Sequence, residues 1–389
     1  MSDGIDAMEL FGQRPTWAEI NLDALAANFQ TVRERVGPNV GVMAVVKADA
    51  YGHGAVDCAR RLEGEGTKWF AVALPEEGLE LRRAGINAPI LCLGGFWNGQ
   101  EQACLNDRLV PVVYRLDMVE TLDAAARAAG RIADVHVKID TGMGRLGVRH
   151  EATREFVNAL SRFRNIRVDG LMTHFASADD PAQDCYTSDQ LARFNEAVNL
   201  FRERGYKPSF VHMANSAATF AHPETRGNLV RPGGVLYGLW RDILAPAPSE
   251  PSLRPVMSVR SQIMLLKSVH RGELLGYGCT FEASRETLVA TLPIGYNDGY
   301  ARPLSNRGRV IVRGQYASVV GRISMDFTLV DVTDVHGVAL GDTVTLLGED
   351  GNLLVATEDI AKTAGTLSYE ITCGISRRVP RRFLPSGQE

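Results

Sequence analysis

The stretch 41–54, GVMAVVKADAYGHG, decides how this chain is read: five apolar residues, 42–46, run straight into a lysine, Lys47, and then into a turn carrying two glycines. A short apolar run closed by turn residues is the pattern of a strand buried on both faces. Moving outward, seven more such runs follow, WFAVAL, PILCLG, LVPVVY, VHVKID, VDGLMTH, FVHMAN and NLVRPG. Between them lie PEEGLELRRAG, LDMVETLDAAARAAG and SDQLARFNEAVNLFRERG, whose apolar residues recur at three- and four-residue steps, as a half-buried helix requires. Strand-helix alternation repeated eight times predicts an α/β fold of TIM-like (β/α)8 barrel type.

The texture changes after about residue 245. The Pro-rich APAPSEPSLRP leads into MSVRSQIMLLKSV, TLVATLPIGY, GRVIVRG, YASVVGRIS, FTLVDVT and DTVTLLG, which read as antiparallel strands joined by Gly, Asp and Asn turns. The expected organisation is a barrel over 15–245 followed by a mainly antiparallel β domain over 246–389, with PSGQE at the end frayed.

With 389 residues, 45% hydrophobic and 23% charged, and a net charge of -4, the chain has no charge extreme pointing to nucleic acid. The first residues, MSDGIDAMELFGQRPT, lack the pattern of a signal peptide, and no apolar run suggests a membrane span, so a cytoplasmic protein is expected. Cys58, Cys92, Cys104, Cys185, Cys279 and Cys373 show no paired or metal-binding spacing; reduced thiols and no metal are expected.

Barrel enzymes build their sites at the carboxyl ends of the strands. Lys47 closes the first run, Arg145 lies beyond the fifth, His174 closes the sixth, Asn215 and Ser216 follow the seventh, and Arg231 closes the eighth. Desolvation at such a position lowers a lysine's pKa and frees its amine for covalent chemistry with a carbonyl; the alternative is a lysine snorkelling from a strand end. In ADAYGHG the glycines would let the backbone approach a ligand and aim the Tyr51 hydroxyl inward, with His53 structural. Gly233 and Gly234 would turn N–H groups towards a phosphate, with the Ser216 hydroxyl arriving from the neighbouring strand, unless the glycines are a simple bend. Arg231, if not in a surface ion pair, would hold a pyridine nitrogen as an unprotonated acceptor, weakening the electron sink and favouring simple proton return.

Taken together, AVVKADAYGHG, KIDTGMGRLGV, THFASAD, HMANSAA, RPGGVLYG, GYGCTF, LPIGYNDGY, GRISMD and SYEITCGISRRVPR resemble the alanine racemase family, in its order and across nearly the whole chain. The resemblance implies pyridoxal 5'-phosphate bound covalently to Lys47, which also serves as the base on the D-alanine face, with Tyr277 as the base on the opposite face. It further implies Tyr51, Ser216, Gly233, Gly234 and Tyr369 as the phosphate cradle, and Arg231 braced by His212 at the pyridine nitrogen. His174 would stack on the ring and Asn215 would support the site. Arg145 and the Met325 backbone would receive the substrate carboxylate, and Lys138 matches a position often carbamylated in the family, where the added negative charge would hold Arg145. Tyr296, Arg302, Arg322, Asp179 and Asp326 would line an access corridor.

In that family Tyr277 and Met325 come from the partner subunit, so the resemblance implies a homodimer with shared sites. The implied reaction, interconversion of L- and D-alanine, serves either D-alanine supply for peptidoglycan precursors or alanine catabolism. Ser324 and Gly234 depart from residues common in the family, cysteine and a branched side chain. Two opposed bases suit racemisation, because one fixed base would have to swing between faces. A phenol ionises near pH 10 in water, so a phenol base needs cations nearby, and His174 and Arg231 are the candidates. Rival readings are a decarboxylase on the same plan, which would set an acid against the ring nitrogen, and a non-catalytic pyridoxal-phosphate-binding barrel, which would lack the segment around GYGCTF.

Overall fold

The computed structural model describes residues 13–246 and 250–384. PSGQE, residues 1–12 and residues 247–249 of the Pro-rich connection lie outside the described residues. The chain divides into two compact units, one of Leu25–Ala50 with Ala55–Leu253, the other of residues 1–24, Tyr51–Gly54 and Arg254–Glu389.

In the first unit all eight runs form strands: Gly41–Val45, Trp69–Val72, Ile90–Cys92, Leu109–Val113, Ala133–Asp140, Ile166–Met172, Phe210–His212 and Leu229–Val230. Neighbours pair in parallel in that order, and Leu229–Val230 pairs with Gly41–Val45. Two backbone bonds draw the remaining edge together, Asn228 N–H to the Val211 carbonyl at 3.2 Å and Arg231 N–H to the Ala214 carbonyl at 2.9 Å. The expected helices run over Pro75–Arg83, Leu116–Ala128 and Asp184–Glu203. The nearly closed barrel with helices matches the α/β reading, and its first three strands are almost wholly buried, as parallel strands covered by helices must be.

The second unit is a ten-stranded sheet, antiparallel through Met257–Gln262, Leu265–Val269, Thr287–Leu292, Arg309–Val312, Gln315–Val320, Thr328–Asp331 and Thr343–Asp350. Val269, Leu275, Ala283, Val289 and Val320 pack one of its cores. One correction concerns its edge. Thr16–Asn21, which the sequence reading gave to the barrel, pairs antiparallel with Met257–Gln262 and parallel with Arg381–Leu384. Residue 16 lies within seven residues of a helix start, so local pattern alone could not say which sheet would take the strand. The helices Thr357–Ala364 and Ser368–Gly374 were also not foreseen. All six cysteines are free, and among the described residues no helix is long and apolar enough to cross a membrane.

Candidate active site

Lys47 sits at the carboxyl end of the strand Gly41–Val45, half-buried. The residues after it do something unusual: Ala48, Asp49, Ala50 and Tyr51 all have φ between 52° and 55°. Four consecutive non-glycine residues in the left-handed region cost about 1–2 kcal/mol each, and hydrogen bonds hold them there. Ala48 N–H donates to Glu77 Oε1 at 2.6 Å, Ala50 N–H to the Val46 carbonyl at 2.9 Å, and Ala55 N–H to Asp49 Oδ1 at 2.7 Å. Such strain persists only where the surroundings over-determine it, and it marks sites of function.

The two glycines of this turn are required by the protein's own packing, a role the reading of ADAYGHG did not include. At Gly52 (φ +86°) a Cβ would meet the Thr372 carbonyl oxygen at 2.2 Å, and at Gly54 the Phe383 ring at 2.7 Å. Their missing side chains let the helix Ser368–Gly374 close in, which brings the rings of Tyr51 and Tyr369 to 5.4 Å. Burial, with Tyr369 and Cys373 nearby, pushes the Tyr51 phenol up, so it stays a neutral donor. His53 is buried and its Nδ1 lies 3.0 Å from the Tyr51 carbonyl, a structural role.

At the barrel mouth, the Ser216 hydroxyl accepts the Gly233 N–H at 2.9 Å, which leaves its own proton to donate. Asn215 caps the helix Ser216–Ala221, its side-chain oxygen accepting from Ala218 N–H at 3.0 Å. Gly234 opens a short 3-10 turn, Gly234–Tyr237. Two helical turns therefore begin side by side, and the first N–H groups of each have no intrahelical acceptor.

Arg231 is buried at 4% exposure, yet no carboxylate bonds to it among the described residues. Its Nη2 donates to the Thr173 carbonyl at 2.8 Å and the Met213 carbonyl at 3.0 Å, with His174 Nδ1 at 3.3 Å; its Nη1 lies 2.9 Å from His212 Nδ1. Burial lowers its pKa to about 9, still cationic at neutral pH. His174 is corrected on one point. Burial, then Arg231, Lys138, Arg145 and Lys47, hold its pKa well below the usual imidazole value, so it is neutral and cannot supply a positive charge to a phenol.

Lys138, pointing into the lumen, is held at about 8 by burial and by Arg231, Arg145 and Lys47, with Asp140 opposing. Asp140 is already committed, accepting from Gly142 N–H at 3.1 Å and Gly144 N–H at 3.0 Å. Arg145 is exposed on the loop after the fifth barrel strand and has no hydrogen-bond or ion-pair partner among the described residues. The result is a mouth lined by four basic side chains, Lys47, Lys138, Arg145 and Arg231, suited to an anionic ligand.

In the second unit Tyr277 is 72% exposed and Met325 51%. Tyr277 sits between Gly276 and Gly278, both at φ 72°, and a Cβ on Gly278 would meet Arg322 Nη1 at 2.9 Å. Tyr296 N–H donates to the Ser324 carbonyl at 3.0 Å and Asn297 N–H to the Met325 carbonyl at 3.1 Å, so Tyr296, Met325 and Asp326 belong to one loop pair. Gly295 permits that approach, since a Cβ there would lie 2.3 Å from the Ser324 carbonyl oxygen. Asp326 pairs with Arg378 at 2.8 Å. Asp179, Arg302 and Arg322 are exposed.

Sequence reasoning missed Glu77, which pins the left-handed turn, and His136, which bonds His212. His136 lay within reach: it stands two residues before Lys138 on an alternating strand, hence on the same face.

A parallel barrel with a strand-end lysine, a buried carboxylate-free arginine and paired anion-seeking turns defines a barrel enzyme that handles small, anionic amine-bearing substrates. The chain belongs to the alanine racemase family: residues 20–240 match its N-terminal domain and residues 256–383 its C-terminal domain. It is 47% identical to the alanine racemase of Geobacter sulfurreducens over 375 residues, 95% of this chain and 97% of that one. Among solved structures, the alanine racemase of Streptomyces coelicolor superposes with a TM-score of 0.89 at 39% identity, covering 95% of this chain and 98% of that one. That of the D-cycloserine producer Streptomyces lavendulae gives 0.88 at 38%, covering 96% and 98%. The protein is accordingly a racemase, an isomerase acting on amino acids.

Proposed function

We propose that the protein interconverts L- and D-alanine with pyridoxal 5'-phosphate, using Lys47 and Tyr277 as opposed bases in a homodimer. The observation that carries this reading is Arg231, a buried cation held by carbonyls and imidazoles and opposed by no carboxylate among the described residues.

The donor set fits the cofactor. The Ser216 hydroxyl, the N–H groups at the two helical starts and the Tyr51 and Tyr369 phenols would hold its phosphate, Lys47 its aldehyde carbon, and Arg231 its ring nitrogen. When bound, it supplies an electron sink that acidifies the α-hydrogen of an attached amino acid. Arg231 can only donate, so it keeps an acceptor beside it unprotonated and restrains that sink, which suits proton return over transamination or decarboxylation. A decarboxylase would require an acid where Arg231 stands.

The Lys47 amine, close to Lys138 and His174, takes or returns the proton on one face. The Tyr277 phenol of the partner subunit serves the other face; its exposure on its own unit is what a side chain committed to another copy would have. Arg145 and the Met325 N–H, which makes no hydrogen bond among the described residues, receive the substrate carboxylate. Lys138, with its pKa near 8, presents enough free amine to be carbamylated, and the added negative charge would neutralise part of the cationic mouth and steady Arg145.

Circular dichroism of L-alanine and of D-alanine, each incubated with the cofactor-loaded protein, tests the reading. Both signals decay to zero if it is right; stable signals from a protein that has bound the cofactor would reject alanine as substrate.

A further inference from the structure

The strand Ala133–Asp140 turns His136, Lys138 and Asp140 towards the barrel lumen. His136 stands opposite Gly170 in the register of the next strand, and a Cβ on Gly170 would lie 2.5 Å from the imidazole Nδ1. Only glycine leaves room for the ring. Trp69 packs against it at 5.3 Å and Phe210 stacks on it at 5.9 Å, so the imidazole is enclosed in an aromatic box with no exposure.

Two bonds tie this box to the site: His136 Nδ1 lies 2.8 Å from His212 Nε2, and His212 Nδ1 lies 2.9 Å from Arg231 Nη1. The direction of each bond can be worked out. A guanidinium only donates, so His212 Nδ1 is the acceptor. Burial first, and the charge of Arg231 second, hold His136 at about 3 and His212 well below the usual imidazole value, so each ring carries one proton. On His212 that proton is on Nε2 and is donated to His136 Nδ1. On His136 it is therefore on Nε2, which has no hydrogen-bond partner among the described residues. A phenylalanine would fill this box without leaving a buried donor unpaired, so the histidine is there for its Nδ1.

We propose that His136 is a positioning residue: its Nδ1 lone pair locks His212 in the Nε2–H tautomer, which keeps the His212 Nδ1 lone pair aimed at Arg231. The same arrangement is a proton dead end. For Arg231 to release a proton to His212, His212 must pass one to His136, and His136 has nowhere to send its own. Arg231 thus remains a donor cation throughout turnover. This rests on the reading of Arg231 as the ring-nitrogen partner of the cofactor.

The test is nitrogen NMR of cofactor-loaded protein labelled with 15N-histidine, whose eight histidines make the spectrum tractable. In the unsubstituted protein His212 Nδ1 and His136 Nδ1 should both be unprotonated and both Nε2 atoms protonated. His136→Phe, which keeps the ring volume, should shift His212 towards the Nδ1–H form, displace the visible absorbance of the bound cofactor and lower kcat on the order of tenfold with little change in KM. His136→Asn, whose carboxamide oxygen takes the place of Nδ1, should recover both the tautomer and the spectrum. A proton on His212 Nδ1 in the unsubstituted protein overturns the proposal even if neither variant folds. So does a folded His136→Phe protein that keeps tautomer, spectrum and kcat, or an Asn variant that loses as much as Phe. An unsubstituted protein with these tautomers that leaves alanine untouched would count for the proton chain and against the substrate.

Discussion

Arg231 and Tyr277 are both given charge to manage, yet one is 4% exposed and the other 72%. Every donor of Arg231 with a partner meets a carbonyl or an imidazole fixed by a barrel strand end. Tyr277 stands on a turn of two left-handed glycines, and what orients it there is backbone. The arginine is therefore held by the barrel's own atoms before any ligand arrives, whereas the tyrosine ring stands exposed on its turn.

The largest effect expected is at Lys47. Lys47→Ala should lower racemisation on the order of 10⁴-fold and abolish the visible absorbance of covalently bound cofactor. Next comes Tyr277→Phe, which should nearly abolish α-deuterium exchange from L-alanine while leaving measurable exchange from D-alanine; equal losses from both would break the assignment of faces. Mixing these two inactive proteins sharpens the contrast. If sites are shared, random pairing gives each mixed dimer one intact site and returns about a quarter of full activity; no recovery would mean that both groups act within one chain.

A smaller effect, on stability, should be confined to the barrel. The folded pKa of Lys138, about 8, lies below its ordinary 10.5, so folding carries a penalty that is complete below about pH 8 and fades as pH rises towards 10.5. Lys138→Met should accordingly raise stability by roughly 3 kcal/mol near pH 7 and by little at pH 10.5, read by urea unfolding. A carbamylated lysine would show no such gain. Tyr277→Phe, on an exposed side chain, should change stability by less than about 0.5 kcal/mol. Gly170→Ala should cost about 1–3 kcal/mol, because the His136 ring must move.

What could be read from the chain alone was whatever depends on near neighbours in sequence. Eight short apolar runs, five of them with a polar residue at or just beyond the end, were enough to place Lys47, His174 and Arg231 at one end of a barrel, because strand direction and the alternation of side chains follow from local geometry. Three things depended on partners far away in the chain. Thr16–Asn21 joined the antiparallel sheet through residues more than 200 positions distant. Gly52 and Gly54 serve a helix and a strand near the other end of the chain. The charge state of His174 and the proton positions on His212 and His136 follow from burial and from which atoms meet, and both quantities exist only once the barrel has closed.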